Sequence, residues 1–209
     1  MIGYYSDLEL QDLGLKIYGS NVLISKKVSI YNTSKISIGD NVRIDDFVVL
    51  SGKITIGSHI HISSFCSISG GENGVVISDF CGLSSHVRIF SSSDDYSGET
   101  LTNPCIQSHF KKVTSKKIIL EKHCIVGSGS IILPNAYLAE GVAMGAMSLI
   151  AKKTLPWGIY FGIPAKRIKE RKKDLLKLEQ EFLNNATNLS GGGGKALKSS
   201  LLIHERISA

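Results

Sequence analysis

Aliphatic residues recur six positions apart along most of the chain. One run reads Ile38, Ile44, Leu50, Ile56, Ile62 and Ile68; a second reads Ile77, Leu83 and Ile89. A third reads Leu120, Val126, Ile132, Leu138, Met144 and Ile150, while Ile24 and Ile30 begin the pattern less regularly. Two residues before these positions stands a second set, mostly smaller or β-branched: Val42, Val48, Cys66, Val75, Cys81, Cys124, Ala136 and Ser148 among them. Residues i and i−2 share one face of a strand, so both sets point inward. A six-residue period does not fit a 3.6-residue helix, and the β-branched content favours strands. Each hexad is therefore a short strand and a turn, and three hexads close one triangular coil. A flat sheet would need hairpin turns between successive hexads, and the regular runs lack them. The predicted fold is an all-β solenoid, a parallel β-helix.

Grouped in threes from Ile38, the coils read 38/44/50, 56/62/68, 77/83/89, 120/126/132 and 138/144/150. The two interruptions, residues 69–74 (SGGENG) and about 91–116, then both follow the third strand of a coil. So does the irregular step from Ile30 to Ile38. All three extra segments are thus expected at one corner of the prism, the long one as a loop.

Residues 1–19 are expected as an N-terminal cap, with SDLELQDLGL as a short amphipathic helix, and 20–153 as the β-helix with its loop at 91–116. Residues 154–189 form a C-terminal segment. Within it PAKRIKERKKDLLKLEQEFLNNA reads as a helix offering Leu175, Leu176, Leu178 and Phe182 for packing. Solenoids need such end caps. The Gly-rich stretch SGGGGK opens a linker and tail over 190–209.

Composition narrows the partners. A formal charge of +6 over 209 residues favours acidic ligands. The basic residues are not interleaved with aromatics in a nucleic-acid motif, so phosphorylated small molecules fit better. No apolar run is long enough to cross a membrane, and the N-terminus does not resemble a signal peptide. The cytoplasm is the expected compartment. The four cysteines include no CxxC pair, and Cys66, Cys81 and Cys124 occupy inward positions. They are expected as core thiols. His59-x-His61 is the only close histidine pair, and its neighbours alternate in and out of the wall; no metal is expected.

After the hexads come Gly145-Ala146, Lys152-Lys153 and Gly162-Ile163-Pro164-Ala165-Lys166. With the long loop, this ending resembles the left-handed β-helix acyltransferases over about residues 20–170. The chain is similar to the maltose and galactoside acetyltransferase branch and to sugar acyltransferases of surface-polysaccharide synthesis. Within these it most resembles nucleotide-sugar N-acyltransferases of the anthrose pathway, which act on dTDP-4-amino-4,6-dideoxyglucose. The resemblance implies a left-handed coil and a homotrimer with active sites between subunits. It also implies acyl-CoA as co-substrate and a nucleotide sugar as acceptor. Coenzyme A would contact Ser128, Gly145 and Ala146, with Lys152, Lys153, Lys166 and Arg167 as candidates for its phosphates.

The sequence departs from that family at one informative place. Sugar O-acetyltransferases of this kind carry a loop histidine in a Thr-His-Pro type context. The matching stretch here is Phe90-Ser91-Ser92-Ser93-Asp94-Asp95-Tyr96, and His109 lies further along the loop. The register places His123 at the corner between the first and second strands of its coil, with Ser84 outward in the coil below and expected just past that corner. Asp94 is expected to face the Ser84 and His123 of a neighbouring subunit, with Asp95 and Tyr96 beside the substrate. A hydroxyl nucleophile benefits from a base tuned near neutrality, whereas a neutral amine needs only a proton acceptor as the intermediate forms. A carboxylate suits the amine, and without an activated Cys-His or Ser-His pair the transfer is expected to be direct. Alternative readings are a sugar or polysaccharide O-acetyltransferase, a non-enzymatic β-helix scaffold, and a metal enzyme resembling the γ-class carbonic anhydrases.

Overall fold

A computed structural model describes residues 3–189; the Gly-rich linker and tail expected at 190–209 lie outside the described residues. The chain winds as a three-faced parallel β-helix. On the first face Tyr18, Ile38, Ile56, Ile77, Leu120 and Leu138 stack in register. Ile24, Ile44, Ile62, Leu83, Val126, Met144 and Tyr160 do so on the second. Ile30, Leu50, Ile68, Ile89, Ile132 and Ile150 make the third. The coils are those the hexads predict, with Tyr18, Ile24 and Ile30 adding one below. The inward columns form one core, in which Ile44, Leu50, Ile56, Ile62, Ile68 and Ile77 are wholly buried.

Two corners are built from left-handed residues. Asn41, His59, Phe80, His123 and Trp157 turn the first corner, and Phe47, Phe65, His86 and Met147 the second, all with positive φ. That conformation costs a non-glycine residue about 1 kcal/mol or more. Because each coil repeats the turn, the side chains fall one above another and stack. The ring centroids of Phe47 and Phe65 are 5.0 Å apart, those of Phe65 and His86 4.9 Å, and those of His59 and Phe80 4.7 Å. Such pairs return about 0.5–1.5 kcal/mol each, comparable with the backbone cost.

The third corner differs from expectation. Residues 69–74 are not an excursion: the strand Ser67–Ile77 runs through the corner beside the strand Val49–Ile56. Glycine makes this possible. A Cβ on Gly52 would lie 2.6 Å from the backbone nitrogen of Gly71, so the two chains bend together only without side chains there. The long loop does leave at this corner. Its stem is a short antiparallel pair, Ser92–Ser93 with Thr114–Ser115.

Both ends are covered. Helix α1 (Asp7–Asp12) begins with a capping box between Ser6 and Glu9 and buries Leu10 in the core. At the other end the helix expected from Pro164 onward is split. Gly158–Gly162 and Ala165–Glu170 form an antiparallel hairpin, and helix α2 spans Leu175–Leu189. Gly162, Ile163 and Pro164 turn the chain back, and Ala165 tucks into the core while Lys166 to Glu170 pair with the last second-face strand. Lys166 and Arg167 therefore lie on a strand, not at the end of a helix. Among the described residues no helix is long and apolar enough to cross a membrane.

Candidate active site

The outer surface of the second face is a trough. Register places Arg43, His61, Gly82, Ile125 and Ala143 in one column along its floor. At the first corner the trough widens into a cleft of about 530 Å³ between His59, Phe80 and His123 and the α2 residues Leu175, Glu179 and Phe182. Towards the second corner it continues as a space of about 430 Å³ lined by Ser63, Ser84, Ser85 and Ser128. His61, Gly82 and Ile125 line both.

The two halves differ in chemistry. The first is closed by packing: the edge of Phe182 meets His59 and Phe80, and His123 stacks on Phe80 with centroids 5.4 Å apart. His123 is 6% exposed, with Nε2 2.9 Å from Glu179 Oε2. Glu179 also pairs with Lys122. Burial alone would raise the Glu179 pKa, but the hydrogen bonds from Lys122 and His123 outweigh it and hold the carboxyl below its ordinary range. Arg171 completes the anchor, its Nη1 donating to the carbonyls of His123 at 2.7 Å and Gly141 at 3.0 Å. In the second half the hydroxyls of Ser84 and Ser128 make no hydrogen bond among the described residues, while those of Ser63 and Ser85 lie 3.2 Å apart.

Ser84 and His123 are thus not brought together. Phe80 is the residue stacked beneath His123, and Ser84 lies four residues beyond it, at the far end of the strand Gly82–Leu83. At ~3.3 Å per residue that is on the order of 10 Å. The predicted corner was off by the length of one face.

One group in the trough escaped the sequence reading. His61 Nε2 lies 2.7 Å from Asp45 Oδ2, and Arg43 Nε donates to Asp45 Oδ1 at 2.7 Å. Burial pulls the Asp45 pKa up, but the hydrogen bonds from His61 and Arg43 prevail and keep it below the ordinary value. The pair fixes the imidazole with Nε2 towards the carboxylate. A signal existed: polar outward residues about one coil apart in sequence are neighbours on the wall.

In the long loop the two aspartates separate clearly. Asp95 is consumed by the loop: Oδ1 accepts from Ser97 N at 2.9 Å, and Oδ2 from Thr100 N at 3.1 Å and Thr100 Oγ1 at 3.0 Å. These bonds hold its pKa at about 2. Among the described residues the Asp94 carboxylate accepts only from Asn103 N, at 3.2 Å to Oδ2, which leaves Oδ1 uncommitted there. Tyr96 stands almost wholly exposed, and His109 rests on Phe110 with centroids 4.0 Å apart. The loop leaves from the third corner and Ser84 lies by the second, so within one chain a full face separates Asp94 from Ser84.

The residues expected at coenzyme A divide similarly. Ser128, Gly145 and Ala146 follow the second corner upward from Ser84, and the hairpin closes over them. A Cβ on Gly145 would lie 2.5 Å from the Phe161 ring, and Phe161 pairs with Lys166. Arg167 Nη2 is engaged by Glu170 Oε1 at 2.6 Å. Lys152 and Lys153 are exposed, but they pair beside Tyr137 on the first face, away from this column. Cys66, Cys81 and Cys124 are buried, and burial pushes the Cys66 thiol up to about 11. Among the described residues no three His, Cys, Asp or Glu side chains gather as metal ligands.

No family model matches the chain. A dTDP-4-amino-4,6-dideoxy-D-glucose acyltransferase of Escherichia coli is 44% identical over 187 residues, covering 88% of this chain and 97% of that protein. Among solved structures, AntD, an N-acyltransferase from Bacillus cereus in complex with dTDP and 3-hydroxybutyryl-CoA, superposes with a TM-score of 0.88. It is 48% identical over 90% of this chain and 100% of its own. A serine-to-alanine variant of AntD in complex with dTDP-4-amino-4,6-dideoxyglucose and Coenzyme A gives a TM-score of 0.87, again at 48% identity, covering 88% of this chain and 100% of that one.

Proposed function

Since the chain belongs to the dTDP-4-amino-4,6-dideoxyglucose acyltransferases, left-handed β-helix enzymes, we propose that its Ser84 and a neighbouring subunit's Asp94 complete the reaction centre. The enzyme transfers an acyl group from coenzyme A to the amino group of a nucleotide-linked sugar, with dTDP-4-amino-4,6-dideoxyglucose as acceptor. The amine nitrogen attacks the thioester carbonyl, and a C–N bond forms. The intermediate then expels the coenzyme A thiolate as the C–S bond breaks. Asp94 takes the proton that the nitrogen loses and passes it to the thiolate, so an amide and a free thiol result. Ser84, with its uncommitted hydroxyl in the trough, donates to the developing oxyanion.

The observation that carries this reading is the contrast within the loop: Asp95 is tied on both oxygens, whereas among the described residues Asp94 keeps one free. Asp95 and Tyr96 shape the loop beside the acceptor. We assign His123 to anchoring α2, because Glu179 and the Phe80 stack already hold its ring. Coenzyme A lies along Ser128, Gly145 and Ala146, with Lys166 and Arg167 near its phosphates; Lys152 and Lys153 are kept for phosphates reaching the neighbouring face. Within one chain the loop and Ser84 are a face apart, and a trimer closes that gap. Buried free thiols suit a reducing compartment, the cytoplasm.

The test is complementation. Asp94→Asn and Ser84→Ala, each assayed alone for thiol release from acyl-CoA with the amino sugar, should be nearly inactive while still binding coenzyme A. Co-refolded as a mixture, they should regain activity, because mixed assemblies contain some sites with both native residues. Absence of recovery would place the two residues' site within one chain. Full activity of Asp94→Asn, or turnover only with hydroxyl acceptors, would sink the mechanism.

A further inference from the structure

We infer that Asn73 is a positioning residue: its side chain braces the stem of the long loop and so sets where Asp94 is presented. This rests on the reading that Asp94 takes the proton of the attacking amine.

The stem is too short to aim the loop by itself. Ser92–Ser93 pairs with Thr114–Ser115, and residues 94–113 hang from this single short ladder. A two-stranded hairpin is marginal in water unless a third strand or a packed face supports it. Here the support is the Gly-rich stretch 69–74, which passes the third corner one coil below the root of the loop. Ser91, at that root, is wholly buried, and its backbone N–H donates to the Ser69 carbonyl at 2.9 Å. The Lys116 N–H donates in turn to the Ser91 carbonyl at 2.9 Å and closes the root.

Residues 69–74 make a firm ledge. A Cβ on Gly70 would run into the carbonyl oxygen of Lys53, so the ledge rests on the coil below backbone to backbone. Gly71 at φ 50° and Gly74 at φ 90° fold it outward and back, conformations that favour glycine. The loop sits as closely above: a Cβ on Gly71 would come 3.1 Å from the Ser91 hydroxyl. The ledge therefore has little freedom to tilt, and whatever is tied to it is held in place.

Asn73 makes the tie. Its Nδ2 donates to Ser115 Oγ at 2.8 Å, which joins the returning strand of the stem to the ledge. The outgoing strand, pinned through Ser91, ends at Ser93, and Asp94 is the next residue. Rotation of the stem therefore passes directly to the Asp94 carboxylate. One exposed hydrogen bond contributes little to global stability. Its effect on the reaction is larger, because a misplacement of about 1 Å at a reacting group can cost as much as ~10²-fold in rate.

The experiment is a double-mutant cycle on Asn73 and Ser115, read in kcat for thiol release with the amino sugar, in coenzyme A affinity by calorimetry, and in Tm. Asn73→Ala should lower kcat about tenfold, the loosening that one lost hydrogen bond permits, with coenzyme A affinity and Tm near native. Ser115→Ala should do the same. The double variant should be no slower than either single one, because both remove the same contact. Native kcat in Asn73→Ala, losses that multiply in the double variant, or a fall in kcat matched by falls in coenzyme A affinity and Tm would overturn the inference. Asp94→Asn is measured beside them. If it is inactive while Asn73→Ala is native, this inference alone fails; if it is fully active, the reading beneath fails and takes this one with it.

Discussion

Glu179 of α2 holds the ring of His123 from across the trough, Oε2 to Nε2 at 2.9 Å, and with it closes one end of the second face. The Glu179 pKa is depressed below its ordinary value of 4.5, so this contact stabilises the fold fully above that pH and is lost as the pH falls through the lower, folded-state value. Glu179→Gln should cost about 1–2 kcal/mol near neutrality, a fall in Tm of about 2–4 °C per kcal/mol for a chain this size. The native and variant melting curves should converge below pH 4.5. Trp157, the one tryptophan, lies 6.3 Å from His123 and should report the change in its fluorescence. Equal melting temperatures across the whole range would show that α2 is not anchored this way.

Asp94 and Asp95 should separate by the kind of damage they cause. Asp95→Ala removes three hydrogen bonds that shape the loop. It should raise proteolytic cleavage between residues 96 and 113 several-fold and raise KM for the acceptor. Asp94→Asn should leave cleavage near native while abolishing turnover. Limited proteolysis read beside kinetics distinguishes them, and identical profiles would merge the two roles.

Cysteine labelling should be selective. Cys105 is exposed, whereas Cys66, Cys81 and Cys124 are buried. A thiol reagent should modify one cysteine of four in the native protein, located by mass spectrometry, and all four only after denaturation. Fast labelling at Cys66 would contradict a thiol pushed up to about 11 by burial.

The solenoid core should be intolerant of truncation. Ile62→Ala empties a wholly buried site between Ile44 and Leu83 on the second face and should cost about 2–5 kcal/mol in denaturant unfolding. Ile125→Ala, half-exposed on the same face, should cost under about 1 kcal/mol.

The coils were legible because each hexad contributes one aliphatic knob, and Ile38, Ile56 and Ile77 needed only counting to align. The third corner was not legible. A Gly-rich hexad such as 69–74 signals an excursion to any local rule, and only the facing Gly52 lets it remain a strand. The C-terminal hairpin was hidden for a related reason: Lys166 to Glu170 has strong helix formers, and tertiary pairing with the open strand Gly158–Gly162 overrides them. Asp94 was singled out by what it replaces. Asp45–His61 was missed because its partners are sixteen residues apart and meet only after the chain has wound a coil.

The hairpin over Gly158–Glu170 has a consequence for the molecule as a material. A parallel ladder ending in an unpaired strand would accept another copy of itself, coil on coil, and grow into a fibre. On the second face the final rung is met by a strand running the opposite way and carrying Lys166, Arg167 and Lys169. On that face a second coil stack meets an antiparallel edge in place of an open parallel one, and like charges oppose its approach. The same residues that close the second face thus also oppose end-to-end growth of that ladder, a task separate from any chemistry at the trough.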